Sequence, residues 1–528
     1  MSTRLDLTRR DFLGGALSLA ALAGAPKTLV GSENPGPSQK DAPPTNWLLT
    51  NLSNGDEDRY PEHIASFAKS LPHDDLGRVT SLSYSFYLKT LADGPNEDFE
   101  RIPLSGRFRL ANPQASYALA LEGYARDAFV CPPAPTFESH EQAADTVEIY
   151  WHSLLRDIPF ADWPSHPLVK EACEDLSRLS AFKGPKEGGR VTPRTLFRGT
   201  APGELDGPYL SQFLALTVPY GATTIPQRYK VPVAGDDHLV DYDEWLLCQR
   251  GYFSRSASPF EKAPRYLCNG RDIGEWVRRD FSFQAHLNAA LTLIGDPYPK
   301  KNFRAPYSSG LPYLDSDTQT GFATFGMPFV LDLVTGVVGV GIRAGWRDKW
   351  LVHRRGRPEE FCGHLHNHLS KKADYPFSGE LLGSQVLARV HEKFGSYLLP
   401  TAYPDGCPIH PSYPAVHAVI AGASVTVLKA LFDEEYVFPN PVESSRDGLS
   451  LIPYKGKKLT VGGELNKLVG NIGIARNFVG IHYRSDCAAG IAQGEQVAID
   501  FLKKQLAVQP EKGARLRFTR FNGEKIVI

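Results

Sequence analysis

Hydrophobic residues recur every three or four positions in several long segments, the spacing that places them on one face of an α-helix. On this basis we predict helices over seven segments: 63–71, 143–155, 276–294, 328–351, 415–432, 463–476 and 485–506. Patterns typical of strands are few and short, and the best are 228–233 and 515–528. The sequence therefore predicts a mainly α-helical protein with a few short strands.

The connections between the predicted helices are long and rich in glycine and proline. The chain has 47 Gly and 41 Pro, and residues 183–240 and 296–325 are the clearest connections. We place a soft division near residue 300, between an N-terminal half over 47–300 and a C-terminal half over 301–528. The C-terminal half holds the dense motifs, and both halves can share one packed unit.

The first 25 residues are typical of an export signal. Arg9 and Arg10 precede Phe12, Leu13 and a short apolar run, an order that resembles a bacterial twin-arginine signal. A polar, proline-rich linker follows over 26–46. We therefore expect a periplasmic or secreted protein. No later stretch reaches the roughly 18 consecutive apolar residues of a stable membrane span.

Composition narrows the function classes further. The 528 residues carry 58 Lys+Arg against 59 Asp+Glu, which argues against a nucleic-acid-binding protein. Seven cysteines without a C-x-x-C pair indicate neither a zinc module nor a dense disulfide framework. His364, His366 and His368 alternate without a nearby carboxylate, which is weak evidence for a metal site.

The first segment with candidate chemistry ends at Pro358. The preceding helical pattern continues to about His353, so Lys349 lies near the helix end and shares a face with Trp346. Pro358 disfavours helical backbone at Arg357, which places Arg357 on a turn or an extended stretch. Lys349 and Arg357 can therefore converge on one anion. The alternative is a solvated basic helix end.

The second segment, 410–417, leads into the apolar helix predicted at 415–432. Pro414 ends the preceding structure, so His417 lies in the first helical turn, beside unpaired backbone N–H groups. The positive end of the helix dipole makes this position an anion site. The alternative is a buried histidine that caps a core helix.

The third segment contains a histidine and an aspartate four residues apart. Arg476 ends a predicted helix, Gly480 permits a sharp bend, and His482 follows. Asp486 can accept the ring N–H of His482, which leaves the other nitrogen free as a ligand or nucleophile. The alternative is a His–Asp pair with a structural role only. Together the three segments indicate a pocket for a tetrahedral oxyanion such as phosphate or vanadate.

These segments, in this order, resemble the vanadium-dependent haloperoxidase family. That family shares its anion pocket with bacterial acid phosphatases and type 2 phosphatidic acid phosphatases. Three spacings resemble the bromoperoxidase branch of algae and bacteria. Arg357 lies eight residues after Lys349, Trp346 lies three before Lys349, and His410 lies seven before His417. The resemblance to the family continues at 150–160, 206–214 and 321–329, so it covers most of the chain after the linker.

The resemblance implies two four-helix bundles, a homo-oligomer (dimer or larger) and a vanadate cofactor, with no haem. His482 would bind vanadium(V), His417 would act as acid–base, and Asp486 would orient His482. Further residues would surround the vanadate: Lys349, Arg357, Arg476 and the N–H of Val416 at its oxygens, and Trp346, His410 and Ala415 next to these.

The resemblance also implies a reaction. Hydrogen peroxide would carry the oxidising power, and Lys349 would polarise the bound peroxide. A halide would be oxidised to hypohalous acid, which halogenates small organic acceptors.

One departure from the family pattern bears on this function. The family usually has Ser-Gly-His or Ala-Gly-His where this chain has Ala415-Val416-His417. The missing hydroxyl and the branched side chain could weaken anion binding, alter the halide range or abolish activity. With His410 in place of the aromatic residue of chloride-oxidising relatives, we expect bromide or iodide to be favoured over chloride.

Two other functions remain open from the sequence. The first is an acid phosphatase, in which His482 would form a phospho-histidine and His417 would be the general acid. The second is a catalytically silent oxyanion-binding protein.

Overall fold

Helices make up most of the regular structure in the computed structural model, which describes residues 48–125, 127–253, 258–295 and 305–528. The predicted export signal and the whole of the predicted linker lie outside the described residues. The helices are α1 Asp56–Arg59, α2 Ser81–Asp93, α3 His140–Leu155, α4 Pro167–Arg178, α5 Tyr242–Gln249, α6 Gly270–Arg279, α7 Gln284–Ile294, α8 Met327–Arg347, α9 Pro358–Leu369, α10 Gly379–Leu382, α11 Gln385–Phe394, α12 Val416–Leu431, α13 Val461–Phe478 and α14 Arg484–Ala507.

Three small antiparallel hairpins complete the regular structure of the described residues. Their strands are β1 Val218–Tyr220 with β2 Thr223–Ile225, β3 Val442–Ser444 with β4 Leu451–Pro453, and β5 Arg517–Thr519 with β6 Lys525–Val527. The last pair confirms the strand pattern predicted at 515–528. A mainly helical fold with few short strands is therefore confirmed.

A bundle of α8, α12, α13 and α14 forms the centre of the C-terminal half, with α12 in contact with the other three. Small residues let α12 and α14 approach closely. A Cβ added at Gly422 of α12 would lie 2.5 Å from the carbonyl oxygen of Ile491, and one at Gly494 of α14 would lie 2.1 Å from that of Val419. The backbones touch, so the helix ends near this contact are held in fixed positions.

A second group of helices contains α3, α4, α10 and α11. Its central helix, α3, also packs against α13 and so connects this group to the bundle. The described residues form one compact unit, and the soft division near residue 300 stays a prediction.

Two predicted elements are wrong. Residues 63–71 form turns rather than a helix, because His63 and Ser70 have φ of 56° and 76°, in the left-handed region that interrupts a right-handed helix. The segment 228–233 is not a strand. It makes single bridges from Tyr229 to Arg265 and from Pro232 to Phe260. Pro232 has no N–H for a continuous ladder.

The helix predicted at 276–294 is two helices. The backbone leaves the helical region at Asp280, where ψ is 155°, and α7 begins four residues later. The break turns the Asp280 side chain towards the start of α12. The local periodicity did not reveal it because the apolar spacing continues across the gap.

One helical stretch of the described residues, Met327–His353, has the length and mean hydropathy of a membrane-spanning helix. It packs against α7, α12 and α14 of the bundle. Arg347, Asp348 and Lys349 near its C-terminal end are buried against protein partners. We therefore describe this stretch as a core helix.

We expect Gly422→Ala to lower the free energy of unfolding by about 1–3 kcal/mol, because its Cβ would push against the α14 backbone. Gly336→Ala on α8 is the matched control, since its Cβ would meet only Phe501 at an ordinary 3.6 Å. The control should gain roughly 0.5–1 kcal/mol from helix propensity. Chemical denaturation of both variants measures the difference. Equal stability of the two would contradict the close α12–α14 packing.

Candidate active site

The three sequence segments converge at one end of the bundle, as predicted. Each contributes a helix end, and these ends surround one small polar region. The contributing elements are the turn after α8, the start of α9, the start of α12, the end of α13 and the start of α14. Their polar side chains are Lys349, Arg357, His417, Arg476, His482 and Asp486.

Lys349 lies in a π-helical turn, Asp348–His353, that continues α8. Its side chain is fully buried, and Nζ donates to the carbonyl oxygens of Pro411 and Ser412 at 2.7 Å each. An ammonium group has three donors, so one is left for another acceptor. Removal from water, together with the charge of Arg357, lowers the pKa of Lys349 well below its usual value.

Arg357 is the residue that precedes α9, and its extended backbone matches the prediction from Pro358. The fully buried guanidinium donates through Nε to the carbonyl oxygen of His410 at 2.8 Å. Nη1 lies 3.0 Å from Nε2 of His482, and Nη2 lies 2.8 Å from Nδ1 of His410. Arg357 therefore contacts the second and third segments through neutral groups only.

His482 is buried and forms the predicted pair with Asp486, with 2.8 Å between Nδ1 and the carboxylate. Gly480 makes the bend before it, with φ of +84°, a conformation that favours glycine. Burial and the charge of Arg357 lower the pKa of His482 well below its usual value. The imidazole is therefore neutral, with Nδ1–H donated to Asp486 and the Nε2 lone pair directed at the cationic side chains.

Asp486 has more partners than the sequence predicted. Its carboxylate accepts from the hydroxyl of Ser412, from the backbone N–H of Tyr483 at 3.1 Å and from Nη1 of Arg355 at 2.7 Å. These partners outweigh the burial and lower the pKa of Asp486, so it is ionised. Ser412 and Arg355 were missed by the sequence reasoning, although both lie inside segments already singled out.

The start of α12 offers backbone donors. The first N–H groups of the helix, those of Val416, His417 and Ala418, have no hydrogen-bond partner among the described residues. Ala415 supplies no side-chain cap, and its own N–H donates to the carbonyl oxygen of Asp486 at 2.9 Å. The helix start therefore keeps its unpaired donors and its dipole for an anion.

Val416, the residue that departs from the family pattern, directs its side chain away from these donors. It packs with Val338 and Ile420 in an apolar cluster against α8. Gly345 leaves space there, since a Cβ at that position would lie 2.9 Å from a methyl group of Val416. The branched side chain is thus accommodated without blocking the helix start.

His417 lies at the edge of the site, with 34% of its side chain exposed. Its Nε2 is 3.6 Å from a carboxylate oxygen of Asp280, a residue that the sequence reasoning missed because the helix break was not visible. Desolvation lowers the pKa of His417, and Arg476 adds to this, whereas Asp280 opposes it. The ring is therefore neutral at neutral pH and can accept a proton.

Arg476, at the end of α13, is 6% exposed. Its Nε has no hydrogen-bond partner among the described residues. A buried guanidinium nitrogen without a partner is costly, which indicates a missing acceptor.

Trp346 and His410 lie next to this region. Their ring centroids are 4.9 Å apart, and the Trp346 indole donates to the carbonyl oxygen of Asn112 at 2.9 Å. Burial and the charges of Arg357 and Lys349 lower the pKa of His410 well below its usual value. A neutral His410 can accept from Arg357 and so holds that guanidinium in place.

The charges around the site do not balance. Lys349, Arg357 and Arg476 bring three positive groups into one desolvated region. None of the three forms an ion pair with a carboxylate among the described residues, and Asp486, whose charge acts on Lys349 and Arg357, is already paired with Arg355. Such a cluster is stabilised by a multiply charged anion, and the unpaired N–H groups and Arg476 Nε supply its hydrogen bonds. The arrangement therefore fits a tetrahedral oxyanion.

The three alternating histidines do not form a metal site. His366 and His368 each accept from a backbone N–H, of Tyr397 and Tyr375, at 3.2 Å. His364 packs beside the Tyr375 ring. Within the described residues, no group of His, Cys, Asp and Glu is arranged to hold a metal ion.

We expect Asp280→Asn to lower the pKa of His417 further, because the carboxylate is the group that opposes desolvation there. A histidine-resolved NMR titration of the vanadate-free protein measures the change. Glu171→Gln is the control, since it removes one negative charge from a surface ion pair with Arg389. A His417 pKa that is the same in both variants and the wild type would contradict the assigned contact.

Proteins of similar sequence identify the family. Residues 341–509 match the family model described as the VCPO second helical-bundle domain. The chain is 33% identical to the vanadium-dependent bromoperoxidase of Ascophyllum nodosum, over 90% of this chain and 87% of the relative. It is 32% identical to the vanadium-dependent bromoperoxidase of Corallina officinalis, over 87% of this chain and 91% of the relative.

A solved structure agrees with the sequence relatives. The homohexameric structure of the second vanadate-dependent bromoperoxidase from Ascophyllum nodosum matches with a TM-score of 0.84 and 28% identity, over 91% of this chain and 87% of that chain. The family-model match contains all of the segments that converge on the oxyanion site. The shared fold, the identity over most of both chains and the geometry of the site lead to one conclusion: the chain belongs to the vanadium-dependent haloperoxidase family.

Proposed function

We propose that this chain is a peroxidase that holds vanadate and oxidises halide with hydrogen peroxide. The observation that carries the proposal is the cluster of three buried basic side chains, Lys349, Arg357 and Arg476, which have no carboxylate partner among the described residues and lie beside His482. The relatives named vanadium-dependent bromoperoxidases support this reaction over phosphate ester hydrolysis.

The residues present fit vanadate. A ligand to vanadium(V) requires a lone pair. Nε2 of His482 carries one, and it faces the cationic side chains that would surround the vanadate. Arg476 Nε and the unpaired N–H groups at the start of α12 would donate to the vanadate oxygens. Bound vanadate would supply a Lewis-acidic centre that activates peroxide without changing its own oxidation state, so no haem is required.

The protein residues would handle protons and charge. His417 is neutral and is oriented by Asp280, so it would accept a proton from hydrogen peroxide at the helix start. Lys349 keeps two N–H groups on Pro411 and Ser412, which fixes the third towards the anion. A fixed donor in a desolvated site stabilises developing negative charge strongly, so Lys349 would stabilise the negative charge that develops on oxygen when a halide is oxidised.

We propose bromide or iodide as the preferred halide, with small organic molecules as acceptors of the hypohalous acid. Chloride is the hardest of the three to oxidise and needs the most polarised peroxide. Ala415 has no hydroxyl to donate, and its side chain is buried with Ala418 and Cys487. His410 contributes a neutral ring that accepts from Arg357.

We also propose a homo-oligomer and export by the twin-arginine pathway to the periplasm or the medium. The homohexameric assembly of the structural relative supports the first proposal. The Arg9-Arg10 pair and the apolar run after it support the second. Light scattering of the purified protein and N-terminal sequencing of the exported form test them.

We expect His482→Ala to abolish vanadate retention and halide oxidation together, because it removes the neutral imidazole whose Nε2 would bind vanadium and whose Nδ1 is held by Asp486. Equilibrium dialysis with vanadate and a bromination assay measure both properties. His364→Ala is the control, a buried histidine on α9 beside Tyr375 and away from the site. Bromination by His482→Ala at the wild-type rate would refute the assignment.

For the halide range, we expect the wild type to oxidise bromide and iodide, and chloride poorly or not at all. Ala415→Ser, which adds a hydroxyl donor next to the start of α12, should raise the rate with chloride relative to bromide. Steady-state rates with each halide measure this ratio. Chloride oxidation by the wild type at the bromide rate, or phosphate ester hydrolysis without any halide oxidation, would contradict the proposal.

A further inference from the structure

Arg355 joins the His482–Asp486 pair to the N-terminal half of the chain. Its side chain is 6% exposed and Nη1 donates 2.7 Å to the carboxylate of Asp486, on the oxygen that His482 does not use. The same Nη1 donates to the hydroxyl of Ser485 at 2.8 Å. The guanidinium also lies over the Tyr483 ring, 4.3 Å from its centroid, which restricts its position further.

The far side of Arg355 is held by α3. Nη2 donates to the side-chain carbonyl of Gln142 and lies 3.6 Å from the carboxylate of Asp145. Asp145 also accepts from the hydroxyl of Ser485, so Arg355 and Ser485 both lie against the Asp145 carboxylate. Gln142 and Asp145 are both buried. Helix α3 therefore reaches the oxyanion site through Arg355, although it carries none of the residues that face the anion.

We propose that Arg355 is a positioning residue that sets the affinity of the site for vanadate by fixing Asp486 against His482. With Arg355 on one carboxylate oxygen, the other oxygen is held in line with Nδ1–H of His482. This keeps the Nε2 lone pair directed at the anion position. Residues that orient a metal-binding histidine from outside the ligand shell change affinity without touching the metal.

A purely structural role would give a different result, and the chain contains a matched control. Glu148 lies one turn further along α3 and pairs with Arg484 at the start of α14, at 2.5 Å. This is also a buried ion pair between α3 and the region of α14, but it does not contact Asp486. Glu148→Gln therefore removes a comparable link between the same helices and leaves the Asp486 carboxylate held.

The test uses the full chain and four variants: Arg355→Met, Arg355→Lys, Asp145→Asn and Glu148→Gln. Vanadate dissociation constants come from equilibrium dialysis, and ¹⁵N NMR of the vanadate-free protein reports the tautomer of His482. We expect Arg355→Met to weaken vanadate binding by about 10–100-fold and to shift the His482 ¹⁵N resonances. A lysine in Arg355→Lys cannot reach Asp486, Ser485 and Gln142 at once. The vanadate affinity of this variant should therefore lie between those of Arg355→Met and the wild type.

Glu148→Gln should lose stability in chemical denaturation but keep the wild-type dissociation constant and ¹⁵N spectrum. If Arg355→Met does not fold, Arg355→Lys and Asp145→Asn decide the outcome. Wild-type affinity and an unchanged His482 spectrum in the folded Arg355 and Asp145 variants would overturn the inference. The inference rests on the proposed vanadate site, and a wild-type protein that does not bind vanadate would refute that site first. The ¹⁵N measurement tests the orientation of His482 independently of vanadate.

Discussion

The uncompensated positive charge at the meeting point of the helix ends is the constraint on which the site depends. Lys349, Arg357 and Arg476 are removed from water, and their protein partners are mostly neutral carbonyl and imidazole groups. Burial lowers the pKa of Lys349, and the repulsion between like charges in this desolvated region lowers it further. A structure that tolerates this repulsion without an anion must hold the groups rigidly, and binding a multiply charged oxyanion relieves it.

That rigidity comes from how the helices pack. Glycines on α12 and α14 bring two backbones into contact, and this packing holds the start of α12, with its unpaired N–H groups, close to His482. Lys349 lies on the π-helical turn after α8, and its ammonium group donates to the carbonyl groups before α12. π-Helical turns are often found at functional sites.

The departure from the family motif has its explanation outside the motif. Val416 in place of glycine brings a branched side chain to the helix start, but Gly345 on α8 leaves the space that it fills. The exchange keeps the backbone donors accessible. The motif alone suggests that the side chain of Val416 obstructs the anion site. In the packed structure Val416 fills the space beside Gly345, so the start of α12 stays accessible.

Local periodicity predicted the four helices of the central bundle and α3, and the motifs at their ends predicted residues that line the candidate oxyanion site. Apolar spacing identified α3, α8, α12, α13 and α14, and Gly480, Pro358 and Pro414 marked the chain breaks that bring His482, Arg357 and His417 to the site. Asp280 and Arg355 needed the tertiary structure. Their roles depend on partners more than 100 positions away in the chain, His417 for the first and Asp145 and Asp486 for the second. Local spacing describes only which face of a helix is apolar. Which buried carboxylate meets which cation is decided by the packing of helices distant in the chain.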